Sequence, residues 1–133
     1  MVEREKLIKI YFESWVKNDI SSLEGVFDNS IIYSECYGPE YRGLEQVNQW
    51  FEDWNKKGKV IRWDIKSFIH DNNVTAVEWF FQCKYNDEVS SFDGVSLITF
   101  NESGKIISLK EFQSKYEHNY PYGVRSEEHT SEL

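Results

Sequence analysis

The chain has 133 residues, 40% of them hydrophobic and 17% aromatic, with two prolines and a net charge of −8. That length holds one domain around a single core, and that ring content excludes a disordered chain. The negative charge repels phosphate backbones, which excludes nucleic acid as the expected partner, and no run approaches the ~18 apolar residues of a membrane span.

The opening Met1-Val-Glu-Arg-Glu-Lys has no apolar targeting core. The first helix is predicted over residues 3–17. Leu7, Ile8, Tyr11, Phe12, Trp15 and Val16 form one stripe there at helical spacing. Asn18-Asp19 breaks it and caps a second, short helix to about Phe27, with Leu23, Val26 and Phe27 inward. Asp28-Asn29-Ser30 reads as a turn. A short strand spans 31–37. Gly38-Pro39 and Gly43 then punctuate a loop. The third helix covers 44–57, with Leu44, Val47, Trp50, Phe51 and Trp54 on one side; Lys56 and Lys57 suit its last turn and Gly58 ends it.

Four long strands follow at 60–70, 74–85, 89–100 and 105 to about 116, joined by hairpin-length turns. Alternation puts Ile61, Trp63 and Ile65 on one face of the first, and Val77, Trp79 and Phe81 on one face of the second. Glu78, Phe80, Gln82 and Lys84 then take the opposite face. Helices on one side of a mostly antiparallel, strongly curved sheet make an α+β domain with a conical hollow between the layers. The expected domain is 1–124. Residues 125–133, Arg-Ser-Glu-Glu-His-Thr-Ser-Glu-Leu, look like a sequencing adapter translated in frame. That non-native tail carries one Arg and three Glu, or −2, leaving −6 for the rest, and it removes His129 from consideration.

Five segments carry a resemblance: Tyr11-Phe-Glu-Ser-Trp-Val-Lys-Asn-Asp19, Leu23-Glu-Gly-Val-Phe27, Tyr37-Gly-Pro-Glu-Tyr-Arg-Gly43, Phe92-Asp-Gly-Val-Ser96 and Gly104-Lys-Ile106. In this order, from residue 3 to about 117, they resemble the nuclear transport factor 2-like superfamily, in its SnoaL-like and ketosteroid-isomerase-like branch. The resemblance implies the cystatin-like conical fold, three helices on a curved sheet. It does not specify a reaction, because the fold hosts isomerases, cyclases, dehydratases, hydrolases and non-enzymes. By position it implies Tyr11 as an oxyanion donor and Glu35 as a carboxylate base. The protonated aspartate of ketosteroid isomerases falls on Ser96, so the buried neutral acid of that mechanism is missing and steroid-type isomerisation is not expected. SnoaL-type cyclases place an acid on the last strand, where Glu111 stands.

Each candidate has a plainer reading. If Ile107 and Leu109 face the hollow, Glu111 and Gln113 do too, and an apolar setting raises the carboxyl's pKa. If Ile106 and Phe112 face in, Glu111 is solvated. Glu35 shares parity with Ile31 and Tyr33 and either lines the cavity mouth or ends a strand on the surface. Tyr11 either donates to a ligand or bonds a backbone carbonyl in the core. Trp15, Trp50, Trp54, Trp63 and Trp79 are core residues by default, one or two of them forming pocket wall, and Tyr33, Phe81, Ser96 and Leu109 are the further ligand-binding candidates. His118 either covers the mouth beside Glu111 or is solvated in the tail. His70 ends a hairpin and is expected to be exposed. Two distant histidines without acidic pairing give no metal site, Cys36 and Cys83 are expected as free cytoplasmic thiols, and no motif asks for a cofactor. Asp93-Gly94 marks a bulge or a close approach. Three functions compete: acid–base chemistry by Tyr11, Glu35 and Glu111 on a carbonyl-bearing or polycyclic ligand; non-catalytic carriage of a small hydrophobic ligand; and a homodimeric interaction module anchored by Phe80 on the outer sheet face.

Overall fold

Val2–Lys17 (α1) is a helix because its apolar positions recur every three to four residues. It buries Ile8, Tyr11, Phe12 and Trp15, while Val16 stands at the rim. These coordinates are a computed structural model that describes residues 2–124; the 125–133 tail and His129 lie outside the described residues. Asp19 caps a 3₁₀ turn, Ile20–Ser22, by accepting from the Ser21 N–H. The second helix (α2, Leu23–Val26) is one turn long, so Phe27 opens a strand rather than closing a helix.

The expected turn at Asp28-Asn29-Ser30 lies instead inside strand β1, Phe27–Ser34. Its local chemistry is still that of a turn. The Asp28 carboxylate accepts from the Ser30 N–H at 2.9 Å and the Ser30 hydroxyl at 2.6 Å. The ladder shifts register between Phe27 and Ile32, so strand and turn signals coexist. β1 stops at Ser34, short of the expected Tyr37. The Gly38 N–H donates to the Glu35 carbonyl, and the Glu35 N–H to the Pro39 carbonyl, folding the chain back. Sequence reading missed the strand that follows, Glu40–Arg42 (β2), which is only three residues long.

The third helix, Leu44–Lys57 (α3), has the predicted bounds, and Gly58 opens β3, Gly58–Asp71. β4 (Val74–Tyr85), β5 (Glu88–Phe100) and β6 (Ile106–Lys115) complete one sheet in the order β2-β1-β6-β5-β4-β3. All neighbours are antiparallel except β1 with β6. The α+β class and the conical, three-helix-on-sheet architecture hold.

Two register shifts in β3 decide what faces the helices. One lies between Val60 and Arg62, so Val60 and Trp63 are both buried and Ile61 is turned outward, against the simple alternation. A further shift, between Thr99 and Phe100, acts on β6: Ile106 and Leu109 both point inward. Regular alternation then continues, with Glu111 on the inner face and Phe112 outside, 48% exposed. Asp93-Gly94 is a close approach and not a bulge, since the β4–β5 ladder runs unbroken. A Cβ at Gly94 would collide with the Trp79 indole and meet the Phe112 carbonyl at 2.5 Å. On the outer face Phe80 is partly covered by its own chain: the Tyr116 ring lies at 5.1 Å and the Arg62 guanidinium at 5.1 Å.

Candidate functional site

A cavity of about 450 Å³ opens between α1, α3 and the inner face of the curved sheet. α1 and α3 supply Trp15, Trp50 and Trp54; the strands supply Trp63, Trp79 and Phe81. Tyr33, Glu35 and Glu111 also line it. Trp50 is fixed from outside by Tyr41, whose ring stacks on it at 4.6 Å. The Tyr41 hydroxyl donates to Glu35 at 2.5 Å, so the short β1–β2 hairpin orients that carboxylate. Burial raises the pKa of Glu35, and the Tyr41 bond partly opposes it.

Glu111 ends a chain of donors. The Trp15 indole N–H donates to the Tyr11 hydroxyl oxygen at 2.9 Å, Tyr11 donates to Tyr33 at 2.7 Å, and Tyr33 donates to Glu111 Oε2 at 2.5 Å. The Cys36 backbone N–H also serves this carboxylate. Burial dominates nonetheless, the charge of Glu35 adds to it, and the Glu111 pKa is raised to about 7. Burial, and then the Glu111 charge, hold both tyrosines well above their ordinary value. They stay protonated, so when Glu111 is ionised the donation runs from Tyr11 through Tyr33 to its carboxylate. A carboxyl that is half ionised at neutral pH, at the wall of an aromatic cavity, can both take and give a proton.

Five expected site residues stand elsewhere. The Tyr11 hydroxyl is fully buried and committed to Trp15 and Tyr33 rather than to a backbone carbonyl. Ser96 is buried beneath Trp79 and accepts from its indole N–H at 2.9 Å. Leu109 is core. Gln113 and His118 line an adjoining open groove beside β5 and β6, which shares Tyr37, Val89, Ser90 and Phe92 with the cavity, and Gln113 itself is exposed because it lies past the point where β6 leaves the core. His70 is not exposed. Its ring bonds Thr75 Oγ1 and Glu5 Oε2, each at 2.8 Å, because α1 crosses the β3–β4 hairpin there. That pairing supplies the acidic partner the sequence did not suggest. Among the described residues no cluster of histidine, cysteine and carboxylate side chains could hold a metal ion.

Sequence reading missed the cavity mouth: Cys36, Tyr37, Cys83, Tyr85, Glu88 and Phe92. The parity of Trp79 and Phe81 extends to Cys83 and Tyr85, and the register Phe81↔Phe92 carries it to β5, so alternation alone held that signal. Cys36 and Cys83 are free. Burial, then the charges of Glu111 and Glu35, push Cys36 up to about 12, and burial raises Cys83, so both thiols stay protonated and poorly nucleophilic. Trp63, stacked on Phe12 at 3.8 Å, has a buried indole N–H with no hydrogen-bond partner among the described residues.

The chain is similar in structure to an LEH-like epoxide hydrolase of Mycobacterium tuberculosis, with a TM-score of 0.76, 10% identity and coverage of 85% of this chain and 84% of that one. A Catenulispora acidiphila protein of ketosteroid isomerase-like fold, in complex with trimethylamine, gives 0.72 at 13% identity, covering 83% and 85%. A candidate SnoaL-like polyketide cyclase of Mesorhizobium loti gives 0.69 at 17% identity, covering 83% and 95%. Identities this low show a shared fold. No curated protein matches the sequence. Among the described residues no helix is long and apolar enough to cross a membrane. The model of the SnoaL-like domain matches residues 8–109, so the chain belongs to the SnoaL-like family.

Proposed function

We propose that this protein binds a small apolar, carbonyl-bearing or polycyclic molecule in the aromatic cavity and that Glu111 moves a proton on it, as in an isomerase, cyclase or lyase. The observation that carries the reading is the Glu111 carboxyl, poised near pKa 7 on an aromatic wall and oriented by Tyr33. The carboxylate takes a proton from the carbon beside a carbonyl, and the resulting acid returns it at another position. Glu35 is the second carboxylate at the site. Solved relatives in fold include an epoxide hydrolase and a complex with trimethylamine, which supports a guest-sized hollow in this architecture.

The test is turnover of a panel of cyclic enones and polycyclic ketones by Glu111→Gln and Glu35→Gln. A loss of ~10²-fold or more is expected for Glu111→Gln. Unchanged turnover in both variants removes the carboxylates from the reaction. A ligand retained in native mass spectrometry without turnover by the parent chain would instead favour a carrier.

We also infer a homodimer through the outer sheet face, where Leu97 and Phe112 are 43% and 48% exposed. A monomer mass by light scattering at micromolar concentration would refute it.

A further inference from the structure

The cavity has a one-sided electrical character. Nineteen residues line it; ten are aromatic and three are glutamates, Glu35, Glu88 and Glu111. Among the described residues lining it there is no lysine, arginine or histidine. The affinity of an apolar guest would come from the rings and gain nothing from the carboxylate charges, and an anionic guest would be repelled. The faces of aromatic rings carry negative potential and attract alkylammonium groups, most strongly when water is excluded. Such a head presents methyl groups to the rings while its charge spreads over them, and it needs no specific hydrogen bond.

The rings are arranged as walls meeting at steep angles. Trp15 and Trp54 meet at 86°, Trp63 and Trp79 at 90°, and Trp63 and Phe81 at 82°. These five rings all line the cavity and meet edge to face, so they present differently oriented surfaces around it, unlike a parallel stack. Lys56 and Lys57 border an adjoining open groove, and Lys56 is paired with Asp53 at 3.5 Å. Neither lines the cavity itself.

We propose that the aromatic cavity selects a cationic guest, a small molecule carrying a methylated ammonium head, which the glutamate-lined wall holds in place. This deepens the function proposed above and rests on its reading that the cavity binds a small molecule. The titratable groups that interact with Glu111 are Tyr33 and Glu35 at the end of β1, the Cys36 thiol and Tyr37 in the loop beside them, Tyr41 on β2, and Tyr11 on α1. None is a cation, so a guest's positive charge meets no competitor there.

The experiment compares choline with its uncharged isostere, 3,3-dimethylbutan-1-ol, on the full 133-residue chain, read by tryptophan fluorescence and calorimetry. A neutral polycyclic ketone serves as a third probe. Choline is expected to bind at least tenfold tighter than the alcohol at pH 8.5. That preference should shrink at pH 5.5, where Glu111 is protonated, and in Glu111→Gln at pH 8.5. Equal affinity for choline and the alcohol, or tighter binding of the alcohol, overturns the proposal. If the ketone binds in that case, the small-molecule reading survives and only the cationic preference fails. If none of the three probes binds, both fall.

Discussion

Replacing Glu111 with Gln should make the protein more stable at pH 8. The carboxyl's pKa rises from the ordinary 4.5 to about 7 on folding, chiefly through burial. A group whose folded pKa is raised contributes its stability fully below the unfolded value and loses it as pH climbs through the folded value. Ionising Glu111 therefore costs the native state between pH 4.5 and about 7, and the cost is constant above that. At 1.36 kcal/mol per pH unit, the raised value corresponds to about 3 kcal/mol. Gln keeps an amide oxygen to accept from Tyr33 and from the Cys36 N–H, so geometry and bonding are largely preserved. The difference in unfolding free energy between variant and parent isolates this one group from every other titration. Urea unfolding of both proteins at pH 4, 6 and 8 should show the difference near zero at pH 4 and growing toward about 3 kcal/mol at pH 8 in favour of Gln. A difference that does not change with pH would show that Glu111 titrates normally, and the acid–base argument built on it would fail.

Tyr33→Phe deletes the hydroxyl that donates to Glu111, so the charged form loses support and the Glu111 pKa should climb above about 7 by roughly 1–2 pH units. Carbon-13 NMR of labelled glutamate carboxyls reads this directly, and an unchanged or lower value refutes the orienting role of Tyr33. The same variant leaves the Tyr11 hydroxyl without its acceptor, which should cost a further ~1–3 kcal/mol of stability. Gly94→Ala forces a methyl against the Trp79 indole and the Phe112 carbonyl, and should destabilise by ~1–3 kcal/mol while altering the near-ultraviolet dichroism of the tryptophans. A change under ~0.5 kcal/mol with the spectrum intact would mean the sheet relaxes around the methyl.

The elements with strong periodicity were legible. α3 and β4 have the predicted bounds, because a continuous amphipathic stripe and a strict alternation leave little room for another state. The short pieces were not. β2 has three residues and no pattern of its own; it forms because Ser34, Tyr33 and Ile32 offer it an edge to pair with. Asp28-Asn29-Ser30 carries turn chemistry that the surrounding ladder overrides without erasing.

Composition and spacing by themselves determined the α+β class and the aromatic faces, because hydrophobic period is a local property of the chain, while five short segments carried the SnoaL-like resemblance. Tertiary structure alone decided the site. A register shift of one residue at the start of β6 fixes which parity of that strand meets the cavity, and so places Glu111 inside and Phe112 outside. Likewise the Tyr11 hydroxyl was a plausible ligand donor until Tyr33, 22 residues away, was brought within 2.7 Å of it. Pairings across that distance depend on how strands and helices close around one another, and no local pattern records them.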